Sequence, residues 1–164
     1  CFSVVCKKNE QPEHALVVLP VSGDESTASR GGGASHNGRR LRVSKISDLQ
    51  LSLLSTNLLD KVSQPELTAP VCEAYIELDR TCFGLRSAHC IPLELCRVAA
   101  GSLDATLLRG ISPQECVAAL MIAKEAGCLS SDFSGNPISD RSTSLICCNP
   151  KLLKLLAPKV QHVP

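Results

Sequence analysis

Over residues 1–60 the apolar positions come in short β-branched runs separated by polar or glycine-rich breaks, the pattern of strands. Phe2 to Cys6 and Ala15 to Val21 flank the polar stretch Lys7-Lys8-Asn9-Glu10-Gln11-Pro12 and predict a hairpin. A third strand is expected through Glu25 to Arg30, followed by turns at Gly31-Gly32-Gly33 and His36-Asn37-Gly38, where positive φ is needed. Extended chain should resume over Arg39 to Lys45 and Gln50 to Leu54. No Gly-Lys-Ser/Thr follows the glycine run and no helix starts there, so it reads as a turn rather than a phosphate cradle.

From residue 63 the period lengthens. Ser63-Gln64-Pro65-Glu66 has the form of a helix start, and apolar residues recur at Leu67, Val71, Ala74, Tyr75 and Leu78, predicting a helix over about 64–80. A short strand at Phe83 to Arg86 precedes a helix opened by Pro92 and closed by Gly101, and Leu103 to Leu108 reads as a strand. At Ser112-Pro113-Gln114-Glu115 a cap, a first-turn proline and an acidic residue three places after the cap predict a capping box ahead of Cys116 to Lys124, with Gly127 as the stop. Leu129 to Phe133 and Ser144 to Cys148 look like final strands around the turn Ser134-Gly135-Asn136-Pro137, and Pro150 to Leu156 like a last helix. Together these elements predict one layered α/β or α+β domain over 1–164, β-rich in 1–60 and alternating in 63–164.

Composition narrows the class. The 164 residues are 44% hydrophobic and 20% charged, so disorder is excluded for most of the chain. Only 2% are aromatic, with no Trp, so Leu, Val, Ile, Ala and Cys must fill the core, and modules that stack nucleic-acid bases are not expected. A net charge of +1 offers no footprint for nucleic acid or an anionic membrane. The longest apolar runs, such as Cys116 to Ala123, fall far short of the roughly 20 residues of a membrane span, so a soluble protein without membrane insertion is expected.

Ten cysteines are many for this length. There is no Cys-x-x-Cys and no repeated Cys/His spacing, which speaks against a structural zinc site or a thioredoxin-type motif. Cys82, Cys90, Cys96, Cys116 and Cys128 stand among apolar residues, where a reduced thiol acts as a small hydrophobe. Buried, unbridged cysteines imply a reducing compartment, the cytoplasm or an organelle matrix, and not secretion. Cys147 and Cys148 should point to opposite faces of one strand. The chain opens at Cys1 without a charged leader or cleavage site, so a processed leader, a further segment or a companion chain is expected upstream.

Three stretches, in order, carry a resemblance. Arg30-Gly31-Gly32-Gly33-Ala34 with Asn37-Gly38-Arg39 and Val43-Ser44 comes first, then Val98-Ala99-Ala100-Gly101-Ser102-Leu103-Asp104-Ala105. Glu125 to Pro137, followed by Cys148-Asn149-Pro150-Lys151, comes last. They resemble the C-terminal portion of inositol monophosphatase-like enzymes. The resemblance implies the C-terminal part of an αβαβα sugar-phosphatase fold and a Mg²⁺-dependent phosphomonoesterase ancestry, in which carboxylates hold the cations that activate water. In that family most of the metal ligands come from a Glu-Glu pair and an Asp-Pro-Ile/Leu-Asp-Gly-Thr motif, both upstream of the position matching Cys1. No Asp-x-x-Asp-Gly occurs in this chain.

The downstream half of the implied site is altered. A further metal ligand, from the family's Trp-Asp, is matched by Gln114-Glu115; Glu115 could ligate, but capping also accounts for it. The substrate-contact pattern Arg-Ser-x-Gly-Ser/Thr-Ala-Ala becomes Arg86-Ser87-Ala88-His89-Cys90-Ile91-Pro92, with His89 where backbone should approach a ligand, so Arg86, Ser87, His89 and Cys90 are vestigial substrate contacts. The family's acidic residue in the strand before the Trp-Asp helix is matched by Leu108. A Cys90–His89 nucleophilic pair is disfavoured because strand neighbours face opposite ways, and a satisfied, partly buried His89 is expected instead. Glu77, Asp79 and Arg80 read as a solvated helix face, and Asp132 and Asp140 as turn residues.

The leading expectation is a catalytically inactive relative, without cofactor, that acts as a structural or interaction subunit with a protein partner covering residues 1–60. That expectation rests on an apolar face of Phe2 to Cys6 and Ala15 to Val21 with nothing intramolecular to bury it. The alternative is a Mg²⁺-dependent phosphomonoesterase, acting on inositol phosphate or nucleotide phosphate, whose metal-binding half lies elsewhere. A third class, a domain binding a phosphorylated metabolite, would need a basic pocket around Arg86 and Arg109.

Overall fold

The computed structural model describes residues 1–60 and 65–163. Strands β1 (Phe2–Lys8) and β2 (Gln11–Leu19) pair antiparallel around a two-residue turn in which Asn9 and Glu10 take φ of 51° and 61°. Such a turn matches the twist of the flanking strands. The hairpin is therefore tighter than the six-residue turn expected, and Lys7, Lys8, Gln11 and Pro12 enter the ladder, with a register shift at Cys6/Lys7. The meander continues through β3 (Asp24–Ser29), β4 (Gly33–His36) and β5 (Arg39–Arg40), giving one five-stranded sheet in sequence order.

Only Arg39 and Arg40 of the expected 39–45 strand pair in a ladder; beyond them Leu41 bonds to Ala34 and Val43 to Ala126 by single backbone hydrogen bonds. The expected strand over 50–54 is shortened for a local reason. Asp48 accepts from the Gln50 N–H and winds Leu49–Leu51 into a 3-10 turn, so β6 starts only at Leu53 and ends at Thr56.

The second sheet contains β7 (Gly84–Arg86), β8 (Ala105–Arg109), β9 (Leu129–Ser131) and β10 (Ser144–Cys148), in the order β7-β6-β8-β10-β9. Strand β6 is parallel to both β7 and β8, and β10 is antiparallel to β8 and β9. Four helices complete the chain: α1 (Pro65–Thr81), α2 (Ile91–Ala99), α3 (Pro113–Glu125) and α4 (Pro150–Val160). The Ser63 cap expected for α1 lies outside the described residues. Helix α4 runs past the expected end because Val160 shares a buried face with Leu152 and Leu156.

Strand alternation separates two cores. Leu108, Leu145 and Cys147 join α2, α3 and the first sheet's Ala15, Val17, Ala28 and Ala34 in one apolar cluster. Leu107, Ile146 and Cys148 face the other way, with Leu54, into a cluster made with Val71, Ala74 and Leu78 of α1 and Leu152 and Leu156 of α4. The layers are thus sheet, helices, sheet, helices. Cys147 and Cys148 point to opposite sides of β10 because consecutive strand residues must.

The expectation of an uncovered hairpin face is corrected: α3 packs over Ala15 and Val17, whose small side chains let it approach closely. What stays open is the opposite face, where Phe2 is 60% and Val4 44% exposed. Gly31 and Gly33 confirm the turn reading in a specific way, since their N–H groups both donate, at 3.0 Å, to the Glu125 carboxylate at the end of α3. With φ of 69° and 86° the two glycines present their amides to that anion, and the sheet is tied to the helix layer. No helix among the described residues is long and apolar enough to cross a membrane.

Candidate functional site

Parallel strands β6, β7 and β8 end at one edge of the second sheet, and the chain leaves β7 and β8 directly into α2 and α3. The positive ends of two helix dipoles therefore face the same edge as three connecting loops, the place where open α/β sheets form binding crevices.

The loop after β6 is held by side chains acting as ladder rungs. Asn57 accepts from the Arg109 N–H at 2.8 Å and donates to the Arg109 carbonyl at 2.9 Å, extending the β6–β8 pairing beyond the strands. The Arg109 guanidinium donates from Nε to the Leu58 carbonyl at 2.8 Å and from Nη2 to the Asp60 carbonyl at 2.6 Å. Arg109 thus shapes the loop. It does not line the cavity that Arg86 borders with Arg97, so the basic pocket around Arg86 and Arg109 that a metabolite-binding domain would need is not formed.

The loop after β7 carries the implied substrate contacts. His89 takes φ of 51°, a left-handed conformation more usual for glycine, which is the residue the family pattern has there. Its imidazole Nδ1 lies 2.8 Å from Oδ2 of Asp60, with the imidazole as donor because a carboxylate only accepts. The expected strand and partly buried histidine are both corrected: His89 sits in a turn, its side chain 68% exposed, bridging two loops. Cys90 is the N-cap of α2 but makes no side-chain cap bond, and its Sγ stands 3.4 Å from Sγ of Cys1. Arg86 and Ser87 are exposed, with an Arg86 Nη1 hydrogen bond to the Leu85 carbonyl.

Behind the loop lies Glu94, a residue sequence reasoning passed over. It is buried on α2, accepts from the Ala88 N–H at 2.7 Å, and meets Thr106 at 3.5 Å, which is itself bonded to Ser55 at 2.7 Å. Burial pushes its carboxyl up from the ordinary range, against the opposing pull of the Ala88 and Thr106 hydrogen bonds. It borders a cavity of about 320 Å³ with Arg86, Ser87, Arg97 and Ser102. An acidic residue inside Leu93-Glu94-Leu95-Cys96, on the apolar face of a short helix, was the available signal. A second cavity, about 510 Å³, lies elsewhere, between the hairpin tip, α3 and the 130–140 loop, and none of these strand-end residues reaches it.

Glu115 stands in the first turn of α3, exposed at this edge. The expected capping box does not form. The Ser112 hydroxyl turns to the Gln114 side chain at 2.9 Å, and the Glu115 N–H donates to the Ser112 carbonyl instead. Capping therefore does not account for the Glu115 carboxylate. As for the Mg²⁺ that the family resemblance implies, a hard dication needs several convergent oxygens, and no three His, Cys, Asp or Glu side chains converge among the described residues. Glu115 would supply one ligand, and the described residues do not by themselves fit the ion. Leu108, matched to an acidic residue, is wholly buried between the sheets and the helices.

A sequence model of the inositol monophosphatase family matches residues 1–164. The Nus factor SuhB of Pseudomonas aeruginosa is 37% identical over 163 residues, covering 99% of this chain and 60% of its own. The inositol monophosphatase of Dictyostelium discoideum is 31% identical, covering 97% and 60%. Among solved structures, the IMPase of Thermotoga maritima superposes with a TM-score of 0.86 at 27% identity, covering 98% of this chain and 60% of that one. The extragenic suppressor protein SuhB of Bartonella henselae, at 22% identity, reaches 0.89 and shares the fold, with coverage of 97% and 60%. The chain spans about three fifths of the length of these relatives.

Proposed function

The chain belongs to the inositol monophosphatase family, and from that premise we propose that it serves as a non-catalytic member whose retained fold presents an interaction surface to a protein partner. The observation that carries this reading is the state of the strand-end crevice. A His89–Asp60 bridge crosses two of its loops, and Arg109 is engaged with loop carbonyls. Where the family pattern has an acidic residue the chain has the buried Leu108. Packing positions are kept while the groups that would grip a phosphorylated sugar are replaced or turned to other work. Relatives of comparable identity bear both a factor's name and a phosphatase's, so the fold is not tied to one role.

The surface we assign to the partner is the open face of the first sheet around Phe2 and Val4. A stable contact there would bury on the order of 1,000 Å² or more. Ten unbridged thiols fit a reducing compartment. The second reading, a Mg²⁺-dependent phosphomonoesterase completed by carboxylates outside this chain, is favoured by one observation, the uncommitted Glu115 carboxylate at the crevice edge.

One assay separates the two readings. The full-length protein is incubated with Mg²⁺ and inositol monophosphate or nucleotide monophosphate, and phosphate release is followed. The expected result is no Mg²⁺-dependent release above the protein-free rate. Release that disappears in Glu115→Ala would establish the phosphatase.

A further inference from the structure

We infer that Cys1 and Cys90 form a reversible, oxidation-sensitive cross-link that fastens the first sheet to the crevice loop. Their sulfurs stand 3.4 Å apart although the residues are 89 positions apart in sequence. The Sγ–Sγ distance of a disulfide is about 2.05 Å, so closing the bond asks for a shift of roughly 1.4 Å at a loop and at the start of a strand.

Proximity singles out this pair, and accessibility separates it from the five buried thiols; Cys72 and Cys82 are half-buried as Cys90 is, but neither stands beside Cys1. Cys1 is exposed and Cys90 half-buried, whereas Cys96, Cys116, Cys128, Cys147 and Cys148 are buried. Burial pushes the Cys96 and Cys116 thiols up to about 11, which withholds the reactive thiolate. Cys6 is exposed as Cys1 is, but among the described residues no sulfur contact is made by it, and so it supplies the internal control.

With hydrogen peroxide as oxidant the chemistry closes in two steps. The Cys1 thiolate attacks one peroxide oxygen, the O–O bond breaks, and Cys1 becomes a sulfenic acid as hydroxide leaves and takes up a proton to become water. The Cys90 thiolate then attacks the Cys1 sulfur, forming the S–S bond and expelling the second oxygen as water. Two electrons pass from the two sulfurs to the peroxide, and a dithiol reductant reverses the step through a mixed disulfide. Transient bonds of this kind are the form disulfides take in reducing compartments.

The bond would bear on the crevice directly. Cys90 caps α2 and follows His89, so tethering it to Cys1 holds the 86–91 loop against the first sheet and restrains the His89–Asp60 bridge. This holds whether or not the crevice is catalytic.

The test uses the full-length protein, exposed to graded hydrogen peroxide, then alkylated, digested and analysed by mass spectrometry. Cys1 and Cys90 should lose alkylation together and in equal amounts, whereas Cys6 should enter no intramolecular cross-link. A Cys1–Cys90 cross-linked peptide should appear and vanish with dithiothreitol. In Cys90→Ser, Cys1 should stop at a dimedone-reactive sulfenic acid. Amide exchange across 86–91 should slow on oxidation of the native protein and stay unchanged in Cys1→Ser. Loss of Cys1 alkylation without loss at Cys90, pairing of Cys1 with a thiol other than Cys90, or a dimer held by Cys1 would each overturn the inference.

Discussion

Two strand-to-helix junctions in the second sheet are built to opposite standards. Where β10 passes into α4, Asn149 accepts from the Lys151 and Leu152 N–H groups and donates its amide to the carbonyls of Ser44 and Ile46. The preceding Ile146, Cys147 and Cys148 are all buried, and every group has a structural task. Where β7 passes into α2, the capping position holds Cys90, which makes no cap bond, and the residue before it is an exposed histidine in a left-handed conformation. The first junction is determined by packing and hydrogen bonding. The second is held by Glu94 from behind and by Asp60 from the side, with no cap hydrogen bond at the helix start itself.

The largest expected effect comes from the first junction. Ile146→Ala opens a cavity in a fully buried strand and should cost about 2–5 kcal/mol in chemical denaturation. Asn149→Ala removes a cap and leaves the Ser44 and Ile46 carbonyls short of a donor, for about 2–4 kcal/mol. A loss below about 0.5 kcal/mol would break the comparison, since that is the scale of an ordinary surface site.

At the second junction the expected changes are smaller and opposite in sign. Glu94 has a folded-state pKa above its ordinary 4.5, so the folded chain holds that proton more tightly than the unfolded one. The stability it contributes is full below about 4.5 and is lost as the pH climbs through the raised value. Glu94→Gln keeps an acceptor for the Ala88 N–H and removes the charge. It should flatten that decline and add on the order of 1 kcal/mol at neutral pH. A steeper decline in the variant would mean that the ionised carboxylate is the favoured form.

The smallest effect belongs to Cys90→Ser. A hydroxyl at an extended N-cap can accept from the first turn, so the variant should gain about 0.5–1 kcal/mol under reducing conditions. A comparable loss would show that the thiol itself supports the loop, and would bring the two junctions closer in kind.

Much of the fold was legible before any coordinates. The hairpin, the start of α3 at Pro113, its stop near Gly127, and strand β10 over Ser144–Cys148 follow from period and punctuation, because each depends on residues within one turn or one ladder. The misreadings were local competitions settled by a side chain. Asp48 wound a turn where extended chain was expected, and Ser112 chose Gln114 over the helix amides. The site was legible only as a motif: Arg86, Ser87, His89, Cys90 and Glu115 were singled out, whereas Asp60, Asn57 and Glu94 were not.

By itself the sequence determined most of the strand and helix segments, the apolar periods that build two cores, and the membership of the chain in its family, since these rest on short-range pattern and ordered motifs. The tertiary structure alone decided that Asp60 meets His89 across 29 positions, that Asn57 locks onto Arg109 across 52, and that Cys1 stands beside Cys90 across 89. For the first two the physical reason is the parallel pairing of β6 with β7 and β8, and for the third it is the stacking of the antiparallel first sheet on the helix layer. Parallel strands must be joined by long crossovers, so their ends gather residues far apart in the chain, and no local period records which of them will touch.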